Sequence, residues 1–441
     1  MQHEKFHYAD KAALDAELAK LGVKLPYSED LKVLGDPVTF GGVTSANRFV
    51  IQPMEGCDGT ADGSPDELTI RRYDRFAESG AGLIWAEACA VVPEGRANPR
   101  QLWLHEGNLE AYKVFVERIR EKCQAKFGFN PVIILQCTHS GRYSKPEGTP
   151  APMIAYNNPL FEKDKPIDAS RIVTDEYLDT LPEYYAKAAK LAEAAGFDGV
   201  DIKACHRYLV SETLSGFNRP GRYGGSFENR TRLFRDAAAA AKSAVSAGFL
   251  VTSRMNVYDG FPRPYGFGIS EADGKTPDLA EPIALIRYLQ KELGYKLIDI
   301  TIGNPYVNPH VNRPYDMGGY VPEEHPLEGE ARMFDCVGAI KRACPELTVI
   351  SSGHTYLRAF APQLAAGCIA EGVSDMAGFG RMAFAYPEFA ADILEKGKLD
   401  PKKLCMTCGK CTELMRAGKT PGCVLRDSLY TALYKETFLN K

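Results

Sequence analysis

Several things are missing from this chain, and each absence removes a class of function. No apolar run approaches the ~20 residues that a membrane-spanning helix requires, so no membrane partner is expected. Basic and acidic residues nearly cancel, 53 against 57 for a net charge of −4. No basic stripe is left to neutralise a nucleic-acid backbone. The amino-terminal stretch is charged and has no apolar h-region, so it does not read as a secretory signal. The 12 cysteines are therefore not expected to build a disulfide framework, which belongs to oxidising compartments. The expected setting is reducing and cytoplasmic. A glycine-rich dinucleotide turn is also missing early in the chain, where "NRFVIQPMEGCDGT" stands instead. That demotes an open doubly wound sheet to second choice.

What is present is a chain of 441 residues, 45% hydrophobic, long enough to bury one large core and a small appendage. From Phe40 onward, strand and helix patterns alternate eight times. The expected strands are Phe49–Pro53, Gly82–Glu87, Pro131–Gln136, Gly199–Lys203, Leu250–Arg254, Leu297–Thr301, Thr348–Ser351 and Asp375–Phe379. Helical patterns between them include Asp66–Ser79, Leu109–Lys126, Thr174–Ala195, Ser226–Ala247 and Pro282–Leu293. Eight βα units with continuous apolar strands predict a closed α/β fold, the (β/α)8 or TIM barrel. An amphipathic helix over Ala9–Leu21, stopped by Gly22 with Pro26 beyond, reads as a strap outside that barrel. Past about Lys396 the composition turns Cys- and Lys-rich. The expected division is a helical extension over 1–39, the barrel over 40–395 and a cysteine-rich segment over 396–441. Two long connections, 138–172 and 258–279, are rich in Pro, Gly and aromatics and read as lids over the site.

One stretch concentrates proton-handling groups. The strand beginning at Gly199 ends in Lys203, His206 and Tyr208 within six positions, and a strand end followed by a helix is the active-site unit of a parallel barrel. Any one such residue is more often a solvated strand end; three together beside a rigid Gly/Arg/Asn turn point to chemistry. Gln136 and Arg254 sit at two other strand ends. "SSGH" (351–354) and "GFGR" (378–381) follow the last two strands, where paired glycine turns make a phosphate site from backbone N–H groups and a helix N-terminus. Cys405, Cys408 and Cys411 are spaced C-x2-C-x2-C, with Cys423 eleven residues on. Three close thiolates and one distant one suit a cubane [4Fe–4S] cluster. Structural zinc is the competing reading, but it more often takes two separated C-x2-C pairs.

The string "VDIKACHRYLVSETLS…NRPGRYGGSFENRTRLFR" resembles the signature of the old yellow enzyme family, FMN-dependent ene-reductases built on a TIM barrel. "NRFVIQPM", "GLIWAEACAVVPEGR" and "LQCTHSGR" are similar to that family's first three strands. The resemblance implies that Pro53, Met54 and Ala88 lie against the flavin and that Gln136 meets its pyrimidine edge. Arg254 would stand beside N1 and O2, and Gly353, Gly380 and Arg381 would hold the phosphate. Tyr208 matches the family's proton donor and His206 its donor to the substrate carbonyl. Lys203 replaces the first histidine of that pair; a cation there implies an enone or enoate carrying an acidic group, the alternative being that it pairs with a neighbouring carboxylate such as Glu55 and only orders the site. Glu55 stands where relatives carry Thr, Cys or His. One relative attaches its flavin through a cysteine at that position, so FMN is expected to be non-covalent here.

The cysteine pattern resembles the iron–sulfur branch, typified by dienoyl-CoA reductase and trimethylamine dehydrogenase. Those relatives continue into FAD and nucleotide-binding domains, and no second Rossmann unit is expected here. Electrons would then come from NAD(P)H over the FMN or from a partner protein at the cluster. The resemblance also implies a homo-oligomer. The implied function is reduction of the C=C bond of an α,β-unsaturated carbonyl or carboxylate. Oxidation of an amine with electrons leaving through the cluster is the alternative, and an electron-transfer flavoprotein subunit without its own substrate is a third.

Overall fold

The computed structural model describes residues 5–316 and 321–439. A short antiparallel hairpin, β1 (Val38–Phe40) and β2 (Val43–Ser45), precedes nine parallel strands. These are β3 (Phe49–Ile51), β4 (Leu83–Ala90), β5 (Val132–Thr138), β6 (Gly199–Ile202), β7 (Leu250–Thr252), β8 (Arg254–Asn256), β9 (Leu297–Thr301), β10 (Thr348–Ser351) and β11 (Met376–Phe379). Their order is β7-β6-β5-β4-β3-β11-β10-β9-β8. Because β7 and β8 are separated only by Ser253, they are two halves of one strand and the sheet closes into the eight-membered barrel expected from the sequence.

The break differs from the single strand expected over Leu250–Arg254, and its cause is local. The Arg254 amide donates to the Asp201 carboxylate (2.8 Å) instead of to a neighbouring strand carbonyl. The Ser253 carbonyl meanwhile accepts from the Asp299 amide (3.0 Å). A side chain has replaced one rung of the ladder.

Helices occupy the expected intervals, and their ends follow their caps. Asp66, Thr174 and Ser226 cap the helices Glu67–Ala77, Asp175–Ala194 and Phe227–Ser243 by accepting from their first-turn amides. The amino-terminal helix begins at Lys11, not Ala9, because Asp10 is its cap and accepts from the Ala13 amide at 2.9 Å. Leu14 and Leu18 pack on Leu327, Phe334, Tyr356 and Leu364, so this helix straps the outer layer. No described helix is long and apolar enough to cross a membrane.

Inside the barrel the side chains form layers. Val50, Leu83, Trp85, Val132, Ile134, Leu250, Leu297, Ile350 and Met376 fill the amino-terminal end, and Phe40 of the hairpin plugs it from below. Burying each such side chain contributes roughly 1.5–3 kcal/mol. Above this floor lies a polar layer around Asp201 and Asp299, and above that the open carboxy-terminal mouth.

The loop after β3 is anchored by a second buried ionic group. The Arg72 guanidinium, 4% exposed, pairs with both Asp58 and Glu87. Glu87 sits where the β4–β5 register shifts, between Ala86 and Ala88, and its carboxylate accepts from the Gly56 amide (2.6 Å). A Cβ at Gly56 would run into the Arg72 guanidinium, so this close approach requires glycine. Removing the cation would leave two buried carboxylates facing each other. Arg72→Met is therefore expected to cost about 3–5 kcal/mol of stability, read as a lower urea midpoint.

Candidate active site

The carboxy-terminal mouth of the barrel holds a cleft with a cavity of about 180 Å3. Pro53, Met54 and Ala88 line it from β3 and β4, Gln136 and Arg254 from β5 and β8, and Gly353, Gly380 and Arg381 from the turns after β10 and β11. Lys203, His206 and Tyr208 enter from the end of β6. The structure thus brings together the cofactor and proton-handling positions read from the sequence. Of the four tail cysteines, Cys411 reaches the cleft wall.

The polar layer under the cleft is held by two carboxylates. Asp201 accepts from Trp85 Nε1 (2.8 Å), Gln136 Nε2 (2.6 Å) and the Arg254 amide (2.8 Å). Asp299 accepts from Gln52 Nε2 (3.1 Å) and Ser352 Oγ (3.3 Å) and pairs with Arg254 Nε at 3.0 Å. Burial outweighs these donors, and Asp201 is pushed up to about 7 and Asp299 to about 6. Gln136 and Arg254 are therefore oriented from below, with their remaining polar groups turned to the cleft.

His206 and Arg207 both adopt left-handed backbone, φ 62° and 59°, a conformation that costs a non-glycine residue of order 1–3 kcal/mol. The turn is held by the buried Arg207 guanidinium, which donates to Ser215 Oγ (2.8 Å), the Tyr265 carbonyl (2.7 Å) and Tyr156 Oη (2.7 Å) and pairs with Asp259. This anchoring presents His206 and Tyr208 to the cleft. His206 Nε2 lies 3.2 Å from Asn312 Nδ2, whose two protons go to the Ile302 carbonyl (2.8 Å) and Thr301 Oγ1 (3.0 Å). Burial, then Arg254, Lys203 and Arg313, push the His206 pKa well below the ordinary value, and the ring is neutral.

Lys203 is 5% exposed, and its ammonium makes no hydrogen bond or ion pair with a described residue. Its ammonium sits 3.5 Å above the Tyr208 ring. Burial lowers its pKa, opposed by Cys205, Glu55 and Asp201. The Tyr208 hydroxyl is 2.8 Å from that of Tyr306 and donates to Glu55 Oε2 at 3.4 Å. Tyr143 stacks on Tyr306 with ring centres 3.9 Å apart.

The residues present fit a flavin mononucleotide. Gln52 Oε1 and Arg381 Nη1 are buried without a hydrogen-bond partner among the described residues, and both residues line the cleft. An unmatched acceptor low in the barrel and an unmatched guanidinium nitrogen beside the glycine turns suit a ring N–H and a phosphate. Arg313, pushed down to about 10 first by burial and then by Arg381 nearby, adds a further cation at this end.

Sequence reasoning missed Gln52, Tyr306, Asn312 and Arg313. Three of these lie on the connection after β9, where "GNPYVNPH" carried a turn signal at a strand's carboxy-terminal end. Of the two connections expected to be lids, neither contributes a residue lining the cleft; 138–172 reaches it only indirectly, through Tyr143 stacked on Tyr306. The "RPGRYGG…NR" turn is scaffold: Arg219 pairs with Asp175, Tyr223 donates to Asp179, and Arg230 pairs with Glu281.

The four tail cysteines are free. Burial pushes Cys405 up to about 12, with Cys411 and Cys423 close enough to add to the shift. Burial likewise pushes Cys423 up to about 11, with contributions from Cys411 and Cys408. Among the described residues, no three His, Cys, Asp or Glu side chains converge tightly enough to hold a metal ion. The sulfurs are neighbours without being a closed ligand set.

Comparison with known proteins agrees with this geometry. The chain is 32% identical over 270 residues to an NADPH dehydrogenase of Halalkalibacterium halodurans, covering 59% of this chain and 70% of that one. It is 27% identical over 398 residues to a cinnamate reductase of Clostridium sporogenes, covering 86% of this chain and 55% of that one. The solved structure of a 2-naphthoyl-CoA reductase in complex with 2-naphthoyl-CoA superposes with a TM-score of 0.74 at 18% identity, covering 92% of this chain and 58% of that one. The chain thus spans little more than half of these two larger proteins. The family model for NADH:flavin oxidoreductases and NADH oxidases matches residues 34–309, which bears out the old yellow enzyme resemblance read from the motifs. The chain belongs to the NADH:flavin oxidoreductase / NADH oxidase family.

Proposed function

We propose that this protein is an FMN-dependent reductase of the C=C bond in enoates and enones, with substrates carrying a carboxylate or comparable anionic group preferred. The observation that carries this reading is the convergence of Lys203, His206 and Tyr208 in the cleft, between Gln136 and Arg254 of the two flanking strands. Similarity to a cinnamate reductase, an enzyme named for an enoate, supports it.

A bound FMN supplies the hydride in this scheme. Pro53, Met54, Ala88, Gln136 and Arg254 would hold its ring, and Gly353, Gly380 and Arg381 its phosphate. Lys203, whose ammonium makes no ion pair among the described residues, binds the substrate's anionic group. Neutral His206 donates a ring N–H to the carbonyl oxygen, where negative charge builds as the alkene is reduced. Tyr208 gives its hydroxyl proton to Cα.

Oxidation of a cationic amine is the second reading, favoured by the three tyrosines and Glu55 around the cleft. It meets a direct obstacle: the Lys203 ammonium already occupies the Tyr208 ring face that a substrate ammonium would seek.

Cys405, Cys408, Cys411 and Cys423 are proposed to hold a [4Fe–4S] cluster, which would supply one-electron transfer at the cleft edge. Four neighbouring sulfurs fit such a group in kind. NAD(P)H or a partner protein then delivers the electrons.

Tyr208→Phe is expected to retain FMN and slow reoxidation of the reduced enzyme by an enoate by about 10²–10⁴-fold; stopped-flow rates equal to wild type would remove Tyr208 as the donor. Lys203→Met should weaken an enoate more than a neutral enone, seen as an increase in KM of about tenfold or more for the enoate alone. Anaerobically purified wild type is expected to carry about four irons per chain, and Cys408→Ser to lose them while keeping FMN; stoichiometric zinc in the wild type would overturn the cluster.

A further inference from the structure

We infer that Glu55 is the proton store that recharges Tyr208, so that the proton delivered to substrate reaches the phenol from a buried carboxyl group two residues past the flavin-facing proline. This rests on the reductase reading above and deepens it.

The geometry singles out Glu55. Its Oε2 accepts from the Tyr208 hydroxyl, while Oε1 is buried with no hydrogen-bond partner among the described residues. An acceptor left open inside a protein is costly when the group is ionised and is tolerated when the carboxyl carries a proton. The loop bearing Glu55 is fixed from beneath by the Arg72, Asp58 and Glu87 group through the adjacent Gly56 amide. Lys203 and Arg72 face Glu55 as cations, and Tyr208, Tyr306 and Cys57 face it as neutral acids. Burial outweighs the two cations, and the Glu55 pKa lies above the ordinary carboxylate value.

Tyr306 is closer to Tyr208 but cannot do this work. Moving a proton from one phenol to another's phenolate gains nothing, and burial raises the Tyr306 pKa further. A carboxylic acid gives its proton to a phenolate downhill. A bound flavin would supply the hydride that forms the C–H bond at Cβ, and the alkene's π pair takes the Tyr208 proton to form the C–H bond at Cα. The Tyr208 oxygen then takes the Glu55 proton, and solvent reloads the carboxylate before the next turnover. Tyr306 stabilises the transient phenolate by donating to it.

The test is product formation by flavin-loaded Glu55→Gln, resolved in time and across pH. With Tyr208 charged at the start, the variant is expected to give a burst of about one product per enzyme at near wild-type rate, followed by steady-state turnover at least about tenfold slower. In wild type, kcat falls as pH rises through the Glu55 titration. Glu55→Gln loses that alkaline limb, and Tyr306→Phe retains it. Glu55→Asp keeps an exchangeable proton and is expected to restore linear turnover and the limb; if it behaves like Glu55→Gln, the proposal fails. Linear Glu55→Gln turnover within twofold of wild type, with the same pH profile, overturns the proton store and leaves the reductase reading standing. If no enone or enoate reoxidises reduced wild-type enzyme, both fall together.

Discussion

Charge inside a closed barrel has no water to answer it, and the site follows from how that is resolved. Asp201 and Asp299 lie fully buried above the apolar floor, where an unpaired carboxylate costs several kcal/mol. Each is matched by donors from other strands around the barrel: Trp85, Gln136 and the Arg254 amide for Asp201, and Gln52, Ser352 and the Arg254 side chain for Asp299. Satisfying these two groups aims Gln136 and Arg254 at the mouth. It also breaks the fifth barrel strand at Ser253, because the Asp201 carboxylate takes the place of a ladder carbonyl.

The same device recurs around the rim. Arg72 gathers Asp58 and Glu87 beneath the loop that carries Met54 and Glu55. Arg207 gathers Ser215, Tyr156, the Tyr265 carbonyl and Asp259 beneath the left-handed turn that carries His206. Both guanidiniums are multidentate and almost fully enclosed, so they fix orientation as well as charge. Against this background Lys203 stands apart. It is buried yet unmatched by any described carboxylate, and its nearest company is the Tyr208 ring. With Arg313 and Arg381 it leaves the cleft with more positive charge than the protein answers, which is the electrostatic condition for binding a phosphate at one end and an anionic substrate at the other.

The strand ends were legible residue by residue because each motif is a local string. The apolar runs beginning at Phe49, Leu83, Val132, Gly199, Leu250, Leu297, Thr348 and Met376 could bury only as parallel strands, and their closing residues then had to face one mouth. Lys203, His206 and Tyr208 fell on that rim for the same reason. Gln52 was not legible: a glutamine inside an apolar strand looks like a packing oddity until Asp299, from the opposite side of the barrel, is seen to accept from it. Tyr306 and Arg313 were missed because a turn signal shows that the chain reverses, not which way its side chains face.

The sequence by itself determined the barrel, the order of its strands and the side chains crowding its carboxy-terminal end, since periodicity and turn chemistry act over a few residues. Only the tertiary structure decided which of them meet. Tyr208 reaches Glu55 across 153 positions and Tyr306 across 98, and whether those oxygens share a proton depends on barrel closure, on the break at Ser253 and on the ionic groups beneath each loop. Those are long-range packing outcomes, and no local pattern encodes them.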